Sequence, residues 1–265
     1  MRAVNFGTER DNRRVQIEPL VLVDRSHDGR VVHVTLNRPA RRNSLTGPLA
    51  TELADAIEAV NADSAASVVV LAGAGGAFCS GLDLQEFNAD PQPDWVPRFG
   101  HEWRRAHRAL FDCDKIVIVA LERYAINGGA GLANAADFLI AGETAWVQVG
   151  EIQQGMAAPM NMAWLRLRHS EAIAARVALI GDRLTGPTLL QLGLAHEVVA
   201  DDEVLSAARD LAGRLAEHDV TGVHRIKTSM RRTGIDVDAA EWFERAHHAD
   251  PLVGRPIRPV AAEDR

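Results

Sequence analysis

Two stretches of this sequence bring backbone N–H groups into positions where they can act on a ligand. VVVLAGAGGAFCSGLDL (residues 68–84) and IVIVALERYAINGGAGLANAAD (residues 116–137) each run from a buried-type strand into a turn of glycine and small residues. Without a Cβ the chain can approach a ligand closely. In the second stretch the N–H groups also open a helix, whose positive dipole end faces the same ligand. Two converging N–H donors make an oxyanion hole, and losing one such donor typically costs about 2.7–4 kcal/mol of transition-state stabilisation. Spacing alone leaves a second role open, in which the glycines only permit tight packing.

Other chemistries fit less well. After Gly73 and Gly75 the third glycine of a dinucleotide fingerprint falls on Phe78, and no phosphate-binding GxxxxGK[ST] occurs. In HEWRRAH the histidines, 101 and 107, are six apart, so they point in different directions on a helix and do not form the four-residue zinc pair. Ser80 in FCSGLD lacks the preceding glycine of a nucleophile elbow, because Phe78 stands there. No metal site is expected.

The elements that must position these turns are legible as an alternation. β-Branched runs at 20–24, 30–37, 67–73 and 115–121, and around DFLIAG and AWVQV, read as strands. The later runs are nearly continuous hydrophobics, as in strands buried on both faces. Between them, TGPLATELADAIEAVNAD from Thr46 puts Leu49, Leu53, Ile57 and Val60 on one helical face, and VPRFGHEWRRAHRALFDC does the same with Phe99, Trp103, Ala106 and Leu110. After residue 200 three helices follow, the first capped by Asp201 or Asp202. This divides the chain into an N-terminal extension (1–16), an α/β core (17–200) and a C-terminal helical segment (201–265), whose last fifteen residues read as irregular.

The chain has 265 residues, 47% of them hydrophobic, enough for one large core with an appendage. A net charge of −7 argues against nucleic acid or an anionic membrane as partner. The two cysteines, Cys79 and Cys113, form no CxxC, which fits a reducing cytoplasm. No run reaches the roughly 18 apolar residues of a membrane span.

AFCSGLDLQEF, followed about 50 residues on by AINGGAGLANAADFLIAG, then VGEIQQG and LTGPTLLQLGLAHEVV, resembles the crotonase superfamily of enoyl-CoA hydratases and isomerases over residues 20 to 250. The resemblance implies a spiral of ββα turns and a C-terminal helical segment that drives assembly into a homotrimer or homohexamer. It implies an acyl-CoA thioester substrate, with coenzyme A as part of that substrate and no permanently bound cofactor. Carried over by position, the oxyanion donors are the backbone N–H groups of Ser80 and Gly128. The CoA-binding segment is Ala77 and Ser80 to Asp83 (Ser80, Gly81, Leu82, Asp83), with Arg41, Arg42 and Arg38 beside the nucleotide part and Lys227 as a further phosphate candidate.

Hydratases of this family resemble a two-carboxylate design. Anchored on Asp137, the first Glu position falls on Gly131 and is empty, while the second falls on Glu151 and is filled. Gly150, where many relatives have proline, implies a looser backbone. A lone carboxylate can take a proton from one carbon and return it to another, so the pattern leans toward enoyl-CoA isomerisation, with hydration still open. Tyr124, Gln148, Gln153, Gln154, Asn161 and His101 are candidates to replace the missing group. Trp146, Met156, Met160, Met162 and Trp164 are candidates to line the acyl pocket. Two alternatives stand beside this reading: hydrolysis or C–C cleavage of a bulky or cyclic substrate, and a non-catalytic acyl-CoA-binding protein.

Overall fold

The computed structural model describes residues 18–234 and 238–249, and within them strand and helix alternate as the hydrophobic pattern predicts. The expected N-terminal extension and the irregular stretch after residue 250 lie outside the described residues. Val21–Ser26 (β1) and Val31–Leu36 (β2) pair antiparallel, and Gly47–Ala62 (α1), capped by Thr46, leads into Val68–Gly73 (β3). Leu84–Phe87 (α2) and Phe99–Asp112 (α3) precede Ile116–Leu121 (β4).

From β4 onward the chain winds in ββα turns. Tyr124–Ile126 (β5) and Gly128–Asn134 (α4) follow β4, then Phe138–Gly142 (β6), Trp146–Gln148 (β7) and Pro159–Arg168 (α5). Glu171–Ile180 (α6), Leu184–Thr185 (β8), Gly186–Gln191 (α7) and Glu197–Val199 (β9) complete the core. One strand of each turn joins a six-stranded sheet of order β1-β2-β3-β4-β6-β9, and the other joins a three-stranded sheet of order β5-β7-β8. All pairs in the large sheet after β1·β2 are parallel.

Both faces of the large sheet are covered, which explains its near-continuous hydrophobic strands. Val32, Val34, Val69, Leu71, Val117 and Val119 pack into one core with α1 and α3. Val31, Val68, Val70, Ile118, Ala120 and Ile140 pack against Val204, Ala208, Leu211 and Ala212 of Val204–Ala216 (α8). The change to pure helix near residue 200 is therefore a change of secondary structure within one packed unit, because α8 closes the second face of the sheet. The residue before α8 is Glu203, without a side-chain cap. Asp201, expected as a cap, instead accepts hydrogen bonds from the backbone N–H and hydroxyl of Thr144.

Val220–Gly234 (α9) and Ala239–His248 (α10) follow. Phe243 of α10 inserts between Phe111 of α3 and Trp164 of α5, with ring centroids 5.9 and 5.3 Å away. The last helix thus closes over the end of α3 that carries His107.

Candidate active site

The two glycine turns meet. Residues 78 and 79 pair with β5: the Phe78 N–H donates to the Glu122 carbonyl, the Cys79 N–H to Tyr124, and the Ile126 N–H back to Cys79. The turn after Cys79 then lies against the start of α4. A Cβ on Gly81, whose φ is +84°, would sit 2.8 Å from the Ile126 carbonyl oxygen, and one on Gly129 would sit 2.6 Å from that of Cys79. Glycine at these two positions is a requirement of backbone contact, which sets residues 79 and 81 of the first turn against residues 126, 127 and 129 of the second. Cys79 is fully buried and its thiol is pushed up to about 12 by desolvation, so it is inert packing.

Gly129→Ala is expected to cost about 1–3 kcal/mol, because the clashing atom is backbone and cannot rotate away. Chemical denaturation compared with the wild type measures it. An unchanged midpoint would contradict the close approach.

Asn127, just before Gly128, is held at φ 49°, ψ −109°, a conformation that favours glycine. Its surroundings fix it from every side. Its N–H donates to the Gln148 carbonyl at 2.8 Å, its carbonyl accepts from the Gly131 N–H and from Asn161 Nδ2, and its Oδ1 accepts from the Gly150 N–H at 2.8 Å. Gly128 is the first residue of α4, so its N–H has no carbonyl within the helix to bond. The Gly150 N–H changes one expectation: the backbone there is tied to Asn127, a bond that proline could not donate.

The first donor is not free. The Ser80 N–H donates to the Arg42 carbonyl at 3.1 Å, where Arg42 and Asn43 both sit in the left-handed region at φ 54° and 53°. Of the two donors expected of an oxyanion hole, one is engaged within the protein.

Glu151 begins a single helical turn, Glu151–Gln154. Its Oε1 accepts from Asn161 Nδ2 at 3.1 Å, while its buried Oε2 has no partner. Desolvation raises its pKa to about 7, with the backbone and Asn161 hydrogen bonds opposing. A carboxylate balanced near neutrality with one oxygen free suits proton transfer. Asn161, 2% exposed, connects this group to Asn127 and, through an Oδ1 that accepts from Asn134 Nδ2, to the helix after the turn.

Of the other candidates for the missing group, Gln148 and Gln153 both donate to the Gly181 carbonyl, and His101 is solvent-exposed beside Glu102. The residue that faces the gap at Gly131 is His107: a Cβ there would lie 3.3 Å from its Cε1 and 3.6 Å from its Nε2. The sequence held a signal for it, because His107 follows Trp103 by four residues and so shares the apolar face of α3. Among the expected pocket residues, Trp164 and Met160 are buried, whereas Trp146 stacks with Arg183 elsewhere.

Several expected CoA contacts have internal partners. Asp83 is buried, caps α2 through the Glu86 N–H, and accepts from Arg38, Ser44 and Arg41. Burial opposes its ionisation, but those hydrogen bonds prevail and hold its carboxyl at about 2. Asp83 thus folds the CoA-type turn. Arg41 reaches over it, bonding Asp83 and Gln85 from a half-exposed position, and Arg42 is exposed. The Ala77 carbonyl accepts from Asn43 Nδ2 at 2.7 Å, and Leu82 bridges to Leu45.

Lys227 corrects the phosphate expectation. It is 5% exposed, and its ammonium bonds Asp137 at 2.6 Å and the Lys115 carbonyl. Its charge is spent inside the molecule.

The family model described as enoyl-CoA hydratase/isomerase matches residues 26–246. The chain is similar to a 2,3-dehydroadipyl-CoA hydratase from Escherichia coli (strain K12), 31% identical over 210 residues, 78% of this chain and 81% of the relative. It is similar to a 1,2-epoxyphenylacetyl-CoA isomerase of the same strain, 32% identical over 205 residues, 76% and 78% of the two chains. Its fold is similar to a solved chain from Thermobifida fusca YX in complex with CoA, with TM-score 0.72, 26% identity and coverage of 87% and 92%. With its α/β spiral of ββα turns, its C-terminal helices and a family match that takes in both glycine turns and Glu151, the chain belongs to the enoyl-CoA hydratase/isomerase family of the crotonase superfamily and is an enzyme.

Proposed function

We propose that this enzyme shifts a double bond within an enoyl-CoA thioester, with Glu151 as its single acid and base. The observation that carries the reading is the half-buried Glu151 carboxylate, whose Oε2 has no partner and whose pKa is near 7, facing a site in which the other acid position is Gly131. Ionised Glu151 takes a proton from the carbon chain, and the C–H electron pair moves into the thioester to form an enolate. The enolate oxygen accepts from the Gly128 N–H. The Ser80 N–H joins it by exchanging the Arg42 carbonyl for that oxygen. Protonated Glu151 then returns its proton to the other end of the allylic system.

The CoA moiety lies along the turn folded by Asp83, with Ala77, Ser80, Gly81 and Leu82 presenting backbone and Arg41 and Arg42 the cationic side chains nearest solvent. The relative crystallised with CoA and the CoA-thioester names of the two bacterial relatives support this handle. Assembly as a homotrimer or homohexamer, with no permanent cofactor, accompanies the reading.

A mixture of 2-enoyl- and 3-enoyl-CoA in D₂O tests it by NMR. Interconversion with deuterium appearing at the allylic carbon is expected. Conversion to a 3-hydroxyacyl-CoA with no isomer formed would replace isomerisation by hydration.

A second reading keeps the enolate but changes the substrate to a ring-containing acyl group. It is favoured by the run of aromatic rings Phe99, Trp103, His107, Trp164 and Phe243, each within 6.3 Å of the next, leading to Gly131. Aryl-acetyl thioesters compared with straight-chain esters of equal carbon number separate the two by kcat/KM.

A further inference from the structure

Asn161 directs both hydrogens of its buried amide at the two groups the reaction uses. Its Nδ2 donates to the Asn127 carbonyl at 3.0 Å and to Glu151 Oε1 at 3.1 Å, and its Oδ1 accepts from Asn134 Nδ2 at 3.1 Å. A carbonyl can only accept, so the contact with Asn127 fixes which end of the amide is nitrogen.

The bond to Asn127 acts on the residue after it. The Asn127 C=O and the Gly128 N–H are the two ends of one planar trans peptide and point in opposite directions. A donor that holds the carbonyl on one side therefore aims the Gly128 N–H at the other. The same carbonyl also accepts from the Gly131 N–H, and a carbonyl that accepts two bonds polarises its peptide and strengthens the N–H as a donor. Asn127 needs this hold, because its backbone sits at φ 49°, ψ −109°.

The bond to Glu151 acts on the carboxylate. It occupies Oε1 and leaves Oε2 without a partner. Desolvation raises the group to about 7, and the amide donor opposes this by favouring the ionised form. Among the described residues no charged side chain enters that balance. His107, the other group beside Gly131, is neutral: Trp164 Nε1 donates to its Nδ1 at 2.8 Å, which puts the ring proton on Nε2, and burial pushes the imidazole down to about 3.

We propose that Asn161 is the positioning residue of the active site, its single amide nitrogen aiming the Gly128 N–H and holding Glu151 so that Oε2 carries the proton. This rests on the reading of Glu151 as the base and of Gly128 as an oxyanion donor. Asn161 is a candidate to replace the acid missing at Gly131, but an amide does not titrate, so its part is to orient the groups that act.

α-Proton exchange of butyryl-CoA in D₂O, followed against pH, tests this with two variants of the intact enzyme. Asn161→Leu keeps the volume and removes the donor. Its exchange rate above the midpoint is expected to fall about a hundredfold, the loss that a misplacement of about 1 Å produces, while the Kd for butyryl-CoA stays within a few-fold. Its midpoint should lie above that of the wild type, because the ionised carboxylate has lost a donor. Asn161→Gln keeps the amide on a longer arm and should recover part of the lost rate. A packing role predicts the opposite order, with the size-matched leucine variant silent and the longer glutamine harmful.

If Asn161→Leu does not fold, the wild type decides: with isotope-labelled asparagine, the NMR signal of the Asn161 side-chain amide should titrate with the midpoint of exchange. A leucine variant that keeps both rate and midpoint, or an Asn161 amide signal indifferent to pH around 7, overturns the proposal. If Asn161→Leu exchanges as the wild type does while Glu151→Gln abolishes exchange, only the role of Asn161 falls. If Glu151→Gln also exchanges as the wild type does, the base falls and the positioning role with it.

Discussion

Replacing Glu151 with glutamine is expected to slow α-proton exchange of a bound acyl-CoA in D₂O by about a thousandfold, within the 10²–10⁴ range for removing a positioned general base. The substitution retains the shape and the acceptor that meets Asn161 Nδ2, so thioester affinity should change by only a few-fold. Exchange within a few-fold of the wild type would remove Glu151 from the reaction. The pH profile supplies an independent check. The base must be ionised to take a proton, so wild-type exchange should rise with pH through the Glu151 pKa of about 7 and level off above it. The stability of the fold should move oppositely. A carboxyl whose folded pKa lies above its unfolded one costs nothing below the unfolded value and destabilises progressively as pH rises toward 7. The penalty at pH 8 is on the order of 3 kcal/mol at most. Glu151→Gln should therefore gain stability on the wild type between pH 4.5 and 7, while losing activity.

Asp137→Ala is expected to destabilise the protein by about 3–5 kcal/mol, the cost of removing one partner from a buried ion pair. Asp137 accepts from Lys227 at 2.6 Å, from Arg168 at 3.1 Å and from the Val117 N–H at 2.8 Å, with Arg231 at 3.5 Å. It joins the start of β4, the segment after α4, and helices α5 and α9. Burial opposes its ionisation, but the attraction of Lys227, Arg168 and Arg231 outweighs this and holds the carboxyl well below the usual range. Its stabilising contribution is present above the ordinary aspartate pKa of about 3.9 and is lost as pH falls below it. The variant leaves three buried cations with no shared anion, and Arg231 is already pushed down to about 10 by burial and by Arg168. Chemical denaturation at pH 7 measures the loss. A change below about 1 kcal/mol would mean that the cations find other partners.

The fold was largely legible because its signals are local. The β-branched runs of β3, β4 and β6 and the helical stripes of α1 and α3 record their own burial at periods of 2 and 3.6 residues. Gly131 and Glu151 were singled out by the resemblance to the family, anchored on Asp137, which needs only residue types and spacing and no contact between elements. What could not be read were hydrogen bonds made by groups with several possible partners. An asparagine before a glycine cluster tolerates a positive φ, yet nothing local states that Asn127 also holds Gly150 and Asn161.

By itself, then, the sequence determined an alternating α/β chain, two glycine turns that need backbone proximity, and a glutamate, Glu151, twenty positions after Gly131. The tertiary structure decided which atoms remain available. It placed the Ser80 N–H on the Arg42 carbonyl, bound Lys227 to Asp137 across 90 positions, and set His107, not His101, in front of Gly131 with its proton fixed by Trp164, 57 positions away. The reason is physical: periodicity is imposed residue by residue on one element, whereas the partner of a buried donor or charge is chosen by packing between elements, and only the folded chain brings those elements together.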